Sequence, residues 1–424
     1  MMDYDELLKR LRKKVYESMD LKEDMKDERL KELIDECVAE ESKNAYINIT
    51  TRRRAEQDIF NSIRKFDILQ ELLDDDNVTE IMINGYKNIF IERQGRISRW
   101  NKEFENSQKL QDIAHRIAAL SNRLVNESVP IVDTRLSDGS RVNIVLSPIA
   151  IDGPVITIRK FYEIPLTMEK LIEMNSISKE AAAFLKDAVN ARYNIFISGG
   201  TGSGKTTFLN ILSDYIPKDE RVITIEDSAE LKLHDISNLV RLEARNANVE
   251  GKNAVTIRDL LKSSLRMRPD RIIVGEVRGE ETMDMIQAMN TGHDGSLSTG
   301  HANSPTDMLS RLETMVLMGM DMPLKAIRQQ IASAIDIVVH LGRLRDKSRR
   351  VLQIVEVEGL KNGEYSIHKL FEFEEMGEED GCVVGSLVKI DRGLNCDDKM
   401  RAAGIYQMVT DGGSDSNSCG VPVL

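Results

Sequence analysis

The sequence predicts an α/β protein whose larger domain carries a phosphate-binding loop, preceded by a smaller α+β domain and a helical N-terminal segment. Three observations predict it. Short apolar runs at Asn194–Ser198, Arg221–Ile225 and Arg271–Val274 alternate with helical stretches, the pattern of strands buried on both faces of a sheet. The first run leads directly into Gly199-Gly200-Thr201-Gly202-Ser203-Gly204-Lys205-Thr206. Upstream, paired strand and turn signals surround one amphipathic helix.

Residues 1–60 read as helical. Leu7, Leu8, Leu11, Val15 and Met19 recur at helical spacing, as do Leu30, Leu33, Ile34, Cys37 and Val38. The cluster Arg52–Arg54 reads as part of a solvated face, with contact to acidic lipid or nucleic acid as the alternative. Residues 61–162 form the α+β domain. A helix through Ile68, Leu69, Leu72 and Leu73 ends near Asp74–Asn77, and strands at Val78–Ile83 and Ile89–Glu92 flank the turn at Asn84-Gly85. A helix over 108–125 sets Leu110, Ile113, Ile117, Leu120 and Leu124 on one face. Strands at Ile131–Leu136, Arg141–Leu146 and Val155–Arg159 follow, separated by turns at Ser137–Ser140 and Asp152–Pro154. Residues 163–170, with Pro165, read as a linker, and 171–375 as the main domain. Residues 376–424 read as a C-terminal extension. Glu372–Asp380 is acidic, and the Gly-, Ser- and Asp-rich Val409–Leu424 is expected to be disordered.

Composition narrows the classes. A chain of 424 residues suggests two or three domains. With 41% hydrophobic and 30% charged residues it has an ordinary soluble composition and can bury a sizeable core. A net charge of −12 argues against a duplex DNA binder, which presents a basic face, so direct nucleic-acid contact is not expected. Cys37, Cys382, Cys396 and Cys419 share no C-x-x-C spacing, which argues against a zinc module and for a reducing compartment. Met1–Lys14 lacks an apolar signal region, and no apolar run approaches a membrane span. A cytoplasmic protein is expected, touching membranes through partners.

The loop Gly199–Thr206 matches G-x-x-x-x-G-K-[ST] between a strand and a helix. Its glycines let backbone N–H groups wrap an anion, and the following helix adds its positive end. Lys205 would reach the β- and γ-phosphates, and Thr207 lies next in the cradle. The Thr206 hydroxyl would ligate Mg²⁺. Glu276, behind the strand Arg271–Val274, stands where an acid would hold that magnesium through water, in place of the more usual Asp. Glu226, behind Arg221–Ile225, is the candidate to orient an attacking water; a helix-capping acid is the alternative. Ligands of open α/β sheets sit beyond the carboxyl ends of the strands, so these residues would share one crevice. His293 and His301 lie in the Gly/Ser/Thr-rich stretch Thr291–Asn303. They read either as structural histidines or as sensors of the γ-phosphate or of a neighbouring subunit. No Cys or further His completes a metal set.

Together these segments resemble the secretion-ATPase superfamily of type II and type IV secretion and type IV pili, closest to the family of tight-adherence (Flp) pilus assembly ATPases. The resemblance covers about residues 65–405 and includes Asp76–Gly85, Val132–Asn143 and Leu265–Asp270. It implies a RecA-like ATPase domain behind a PAS-like N-terminal domain, in a homo-hexameric ring that binds ATP and Mg²⁺ between the two domains. Glu226 matches the family's Asp box, Glu276 its atypical Walker B, and His293 and His301 its His box. Arg135 and Arg141 match arginines that approach the phosphates, and Arg159 is a further candidate for that cleft. Structural salt bridges are the alternative for all three. The implied role is a motor, peripheral at the inner membrane, that drives pilin assembly or protein export through platform proteins. A four-cysteine zinc module found in some relatives is missing, which favours the tight-adherence branch. The rivals are a conjugation or DNA-uptake motor with the same core and a non-motor nucleotide-binding regulator.

Overall fold

The computed structural model describes residues 4–19, 25–44, 46–93, 95–160, 166–233, 235–245, 253–390 and 393–405. The chain divides into two units, Met1–Pro165 and Leu166–Leu424.

The first unit opens with α1 (Tyr4–Ser18), α2 (Asp27–Asn44) and α3 (Ile49–Arg64), whose apolar stripes close a core of Leu11, Val15, Leu30, Ile34, Val38 and Ile59. The Asn48 side chain caps α3 by accepting the Thr51 N–H at 2.8 Å, and this helix runs through the boundary expected at residue 60. Next come α4 (Leu69–Leu73), β1 (Val78–Asn84), β2 (Ile89–Arg93), β3 (Arg96–Arg99), α5 (Ser107–Leu120), β4 (Ile131–Arg135), β5 (Arg141–Val145) and β6 (Val155–Arg159). The strands pair antiparallel in the order β3-β2-β1-β6-β5-β4. Ile81, Ile83, Val142, Ile144, Ile156 and Ile158 of this sheet pack with Leu110, Ile113 and Ile117 of α5. The helix expected over 108–125 stops at Leu120, before Asn122 turns to φ 52°. Leu120 and Leu124 are 65% and 55% exposed, so its apolar face is a turn shorter than the periodicity suggested.

The second unit contains α6 (Met168–Glu173), α7 (Lys179–Asn190), β7 (Ile195–Gly199), α8 (Lys205–Ser213), β8 (Arg221–Glu226), β9 (Asn238–Glu243), α9 (Ile257–Ser264) and β10 (Arg271–Val274). It continues with α10 (Glu281–Asn290), β11 (Leu297–His301), α11 (Pro305–Gly319), α12 (Leu324–Ala334), β12 (Ile337–Arg343), β13 (Arg349–Lys361), β14 (Glu364–Glu379), β15 (Cys382–Lys389) and α13 (Asp398–Ala402). Its sheet runs β15-β14-β13-β12-β7-β11-β10-β8-β9. The six strands from β12 to β9 are parallel, and β13 to β15 continue antiparallel. Alternate residues of the parallel strands enter two cores. Ile195, Ile197, Val222 and Ile273 join one with α7 and α8; Phe196, Ile223, Ile225, Ile272 and Val274 join the other with α9 to α12.

Two sequence boundaries move. α6 begins inside the stretch expected to be linker. The sheet passes residue 375 without a break, and the acidic run Glu372–Asp380 lies largely in β14. Beyond β15 the chain is tied back by Glu356, which accepts the Asn395 and Cys396 N–H groups at 2.9 and 2.7 Å, and by Lys399, whose Nζ contacts Asp294 and Asp336. The tail expected to be disordered begins at Val409, and Cys419 lies within it; both are outside the described residues. Cys37, Cys382 and Cys396 are free thiols.

Arg271, fully buried at the start of β10, pairs its Nη2 with Glu220 at 3.1 Å and donates to the Val189 carbonyl at 2.6 Å. Glu220 also accepts from Arg192 Nη2 at 3.0 Å, so removing Arg271 leaves it one cationic partner and opens a polar gap in the core. Arg271→Ala is predicted to lower unfolding stability by about 1–3 kcal/mol, read from the urea midpoint. A loss within experimental error would show that Glu220 is satisfied without it.

Candidate active site

The parallel register aligns strand ends. His301 pairs with Gly199, and Ser298, Val274 and Ile225 lie at one level across β11, β10 and β8. The residues that follow β7, β8 and β10, together with the last residue of β11, therefore meet at one edge. Gly199 closes β7 at φ +156°, and a Cβ there would stand 2.4 Å from the Leu341 carbonyl oxygen, so no other residue fits. The loop then returns on itself. Ser203 Oγ donates to the Gly200 carbonyl at 2.9 Å, and α8 starts at Lys205.

Lys205 is buried, with 7% exposure. Its Nζ donates to the Gly200 carbonyl at 2.9 Å and to His301 Nδ1 at 3.2 Å. An ammonium can only donate, so Nδ1 accepts and the neutral ring carries its proton on Nε2. That Nε2 lies 3.0 Å from Glu276 Oε1, a close polar contact without the alignment of a hydrogen bond. Burial, with Lys205 adding to it, holds His301 below the ordinary histidine value. The other Glu276 oxygen accepts from Arg278 Nη2 at 2.9 Å, and Arg278 Nη1 reaches to 3.8 Å from Asp227. One line of contacts thus runs from the loop lysine through His301, Glu276 and Arg278 to Asp227.

Glu226 ends β8, almost fully buried. Its Oε2 accepts the N–H groups of Glu230 and Leu231 at 2.7 and 2.9 Å, while Oε1 is buried with no hydrogen-bond partner. Burial pushes its carboxyl above the ordinary glutamate value. Gly275 packs against it: a Cβ there would lie 3.0 Å from Glu226 Cγ. Both readings of Glu226 thus have a feature behind them, a backbone-bonded oxygen and, among the described residues, a buried one without a partner. Thr206 and Thr207 occupy the first turn of α8.

His293 is not brought to this edge. It precedes β11 at the far end from His301, with Nδ1 3.2 Å from the Ala288 carbonyl. A five-residue strand, about 13 Å long, lies between the two histidines. Arg135, Arg141 and Arg159 belong to the first unit. The register sets them side by side across β4, β5 and β6 with Glu80 of β1 next in the row, on the sheet face away from Val142 and Ile158. Arg135 and Arg141 are half-buried, and Arg159 is exposed.

Three residues escaped the sequence reading. Arg278 could have been found from its place two residues after Glu276. His340, buried in β12, places Nδ1 2.9 Å from Ser198 Oγ and bonds the Asn303 backbone, and burial holds it below the ordinary histidine value. It ties the loop strand to the segment after His301, and no local motif marks it. Arg349, at the start of β13, donates its Nε–H to the Gly202 carbonyl at 2.9 Å.

A phosphate loop whose lysine is linked through a histidine to an acid behind the next-but-one strand defines a nucleoside-triphosphate hydrolase of the α/β class. The model of the type II/IV secretion system protein family matches residues 63–393. The chain is 35% identical over 293 residues to a putative conjugal transfer protein of Mycobacterium tuberculosis, covering 68% of this chain and 83% of that one. It is 34% identical over 300 residues to the type IV secretion system protein VirB11 of Brucella abortus, covering 64% and 83%. Among solved structures, the Yersinia pseudotuberculosis ATPase DotB shares its fold with a TM-score of 0.52 at 20% identity, covering 69% of this chain and 78% of that one. The chain belongs to the type II/IV secretion system protein family, and it is an ATPase of that family.

The His301 geometry sets a pH dependence. A proton on Nδ1 would remove the acceptor for Lys205 and place two cations together. The lowered His301 value means that this happens only below the ordinary histidine range, about pH 6.5. ATP turnover is predicted to fall on the acid side, and His301→Gln is predicted to shift that acid limb, leaving the part that belongs to the carboxylates. An equal acid limb in both proteins would place the titrating group elsewhere.

Proposed function

We propose that the chain is a magnesium-dependent subunit of a homo-hexameric motor of the tight-adherence pilus type. It works at the cytoplasmic side of the inner membrane and drives pilin assembly or protein export through platform proteins. The observation that carries this reading is the contact line from Lys205 through His301 to Glu276. It joins the group that holds the terminal phosphates to the acid expected near the metal.

Each residue then has a task. Backbone N–H groups of Gly199–Thr207 and the Lys205 ammonium hold the phosphates. The donors at hand suit magnesium, because Thr206 offers a hydroxyl and Glu276 a carboxylate with one buried oxygen outside any hydrogen bond, the hard oxygen set that this cation prefers. Thr206 would ligate it directly and Glu276 through water. The ion would neutralise charge on the phosphate oxygens. Glu226, whose buried Oε1 has no hydrogen-bond partner among the described residues, would take a proton from the attacking water, and burial, which raises its value, makes it a stronger base. Arg135 and Arg141 are assigned to the charge that develops on the transferring phosphoryl group, and Arg159 to the nucleotide cleft. His301 reads the lysine's occupancy, while His293 keeps an assignment to a neighbouring subunit. The second unit is read as RecA-like and the first as PAS-like.

A conjugation motor with the same core is the second reading, favoured by the conjugal transfer protein among the relatives. DNA-stimulated turnover with direct DNA binding would support it against the pilus reading. No described helix is long and apolar enough to cross a membrane, so attachment through partners is the simplest assignment.

The catalytic assignment is tested with the full chain. Lys205→Ala and Glu276→Ala are each predicted to lower ATP turnover by about 10²–10³-fold, with folding checked by circular dichroism. Unchanged turnover in both variants would remove the assignment.

A further inference from the structure

Strand order gives the phosphate loop two unlike flanks. On the β11 side stand His301 and, beyond it, Glu276, where Lys205 directs the terminal phosphates. On the β12 side the loop borders a largely apolar cavity walled by Leu166, Leu171, Met174, Thr207, Phe208 and Leu341. A nucleotide whose γ-phosphate lies toward His301 runs the other way through its α-phosphate to its ribose and base. The cavity therefore marks the nucleoside end. Arg349 stands between the loop and that cavity.

The placement of Arg349 is built. It opens β13, paired with Arg343 at the end of β12, and β12 in turn pairs Leu341 with Gly199 of the loop strand. The intervening turn is tied: Asp346 Oδ1 accepts both the N–H of Ser348 at 2.9 Å and its hydroxyl at 2.6 Å, and the Leu344 N–H donates to the Ser348 carbonyl at 2.8 Å. The side chain crosses the loop, with Cδ 3.7 Å from the point where a Gly204 Cβ would lie. The Nε–H bond to Gly202 fixes one edge of the guanidinium. Among the described residues, Arg349 makes no other hydrogen bond or ion pair, so the Nη groups keep their donors at the cavity mouth. A planar fork held by one edge and donating from the other is the geometry with which arginine takes phosphate oxygens.

We propose that Arg349 is a nucleotide-binding residue acting within its own chain: its Nη groups take the α-phosphate while its Nε–H remains on Gly202. This deepens the reading of Gly199–Thr206 as the ATP site and rests on it. Lys205 then grips the end of the nucleotide that is hydrolysed, and Arg349 grips the end common to ATP and ADP. Arg349 also joins the nucleotide to the β12–β13 hairpin.

The test is calorimetric binding of ADP and of inorganic phosphate to the wild-type chain, Arg349→Gln and Arg349→Lys. A single phosphate can sit on Lys205 and the loop without reaching the α-position. For Arg349→Gln, ADP dissociation is expected to rise about tenfold or more with phosphate binding within twofold of wild type, and Arg349→Lys is expected to fall between. Unchanged ADP binding in Arg349→Gln would overturn the proposal. A parallel loss of ADP and phosphate would overturn it too, since Arg349 would then act only by holding the loop through Gly202. A wild-type chain that binds neither ligand would overturn the ATP-site reading itself and this inference with it.

Discussion

A lysine ammonium buried beneath a phosphate loop has to be satisfied locally, and much of this molecule is arranged around that need. Taking such a charge out of water is costly unless acceptors surround it. Lys205 meets the Gly200 carbonyl of its own loop and the His301 imidazole from a neighbouring strand. The second decides more than the first. It sets the imidazole tautomer, it keeps the ring uncharged, and it turns the remaining nitrogen toward Glu276. Loop, histidine and acid hold one another in place before any substrate arrives, so the site is organised at no cost during the reaction.

That arrangement requires strand ends to be level, and the parallel sheet supplies it. Residues 195–199, 297–301 and 337–341 pair one to one across β7, β11 and β12, so a shift of one residue would turn each side chain to the opposite core. β11 shows how tight the fit is. A Cβ on Gly300 would lie 2.8 Å from Met308 Cε and 3.0 Å from Phe196 Cε1. β11 is buried because its residues are small, and the bulky side chains beside it come from its neighbours.

This also explains what could be read from the sequence. The glycine loop, Glu226 and Glu276 were legible because each follows an apolar run that announces a central strand. β11 was not, since Leu297 is its one large apolar residue and Gly/Ser/Thr-rich segments otherwise mark turns. β14 was hidden by its own acids. Glu374, Glu375, Glu378 and Glu379 face water on a strand whose Leu370 and Phe371 are buried. β3 has four exposed residues and a single apolar one, Ile97, too little for a periodic signal. The two histidines look equivalent in the sequence, yet the strand between them sends them to opposite edges of the sheet. His340 and Arg349 join the site only through pairing of β12 with β7 and of β13 with β12, contacts more than 140 residues apart in the chain for Ser198 with His340 and for Gly202 with Arg349.

β11 has one more consequence. A strand paired along its whole length with β7 and at its start with β10 neither stretches nor buckles readily, so it behaves as a strut. At one tip His301 rests against the lysine that a phosphate would claim. Just before the other tip, Asp294 holds Lys399 of α13 at 2.8 Å, and Ser296 Oγ bonds the His293 carbonyl. Its register with β7 and β10 fixes the separation of the two tips, so the lysine contact at one end and the tie to α13 at the other belong to one rigid element.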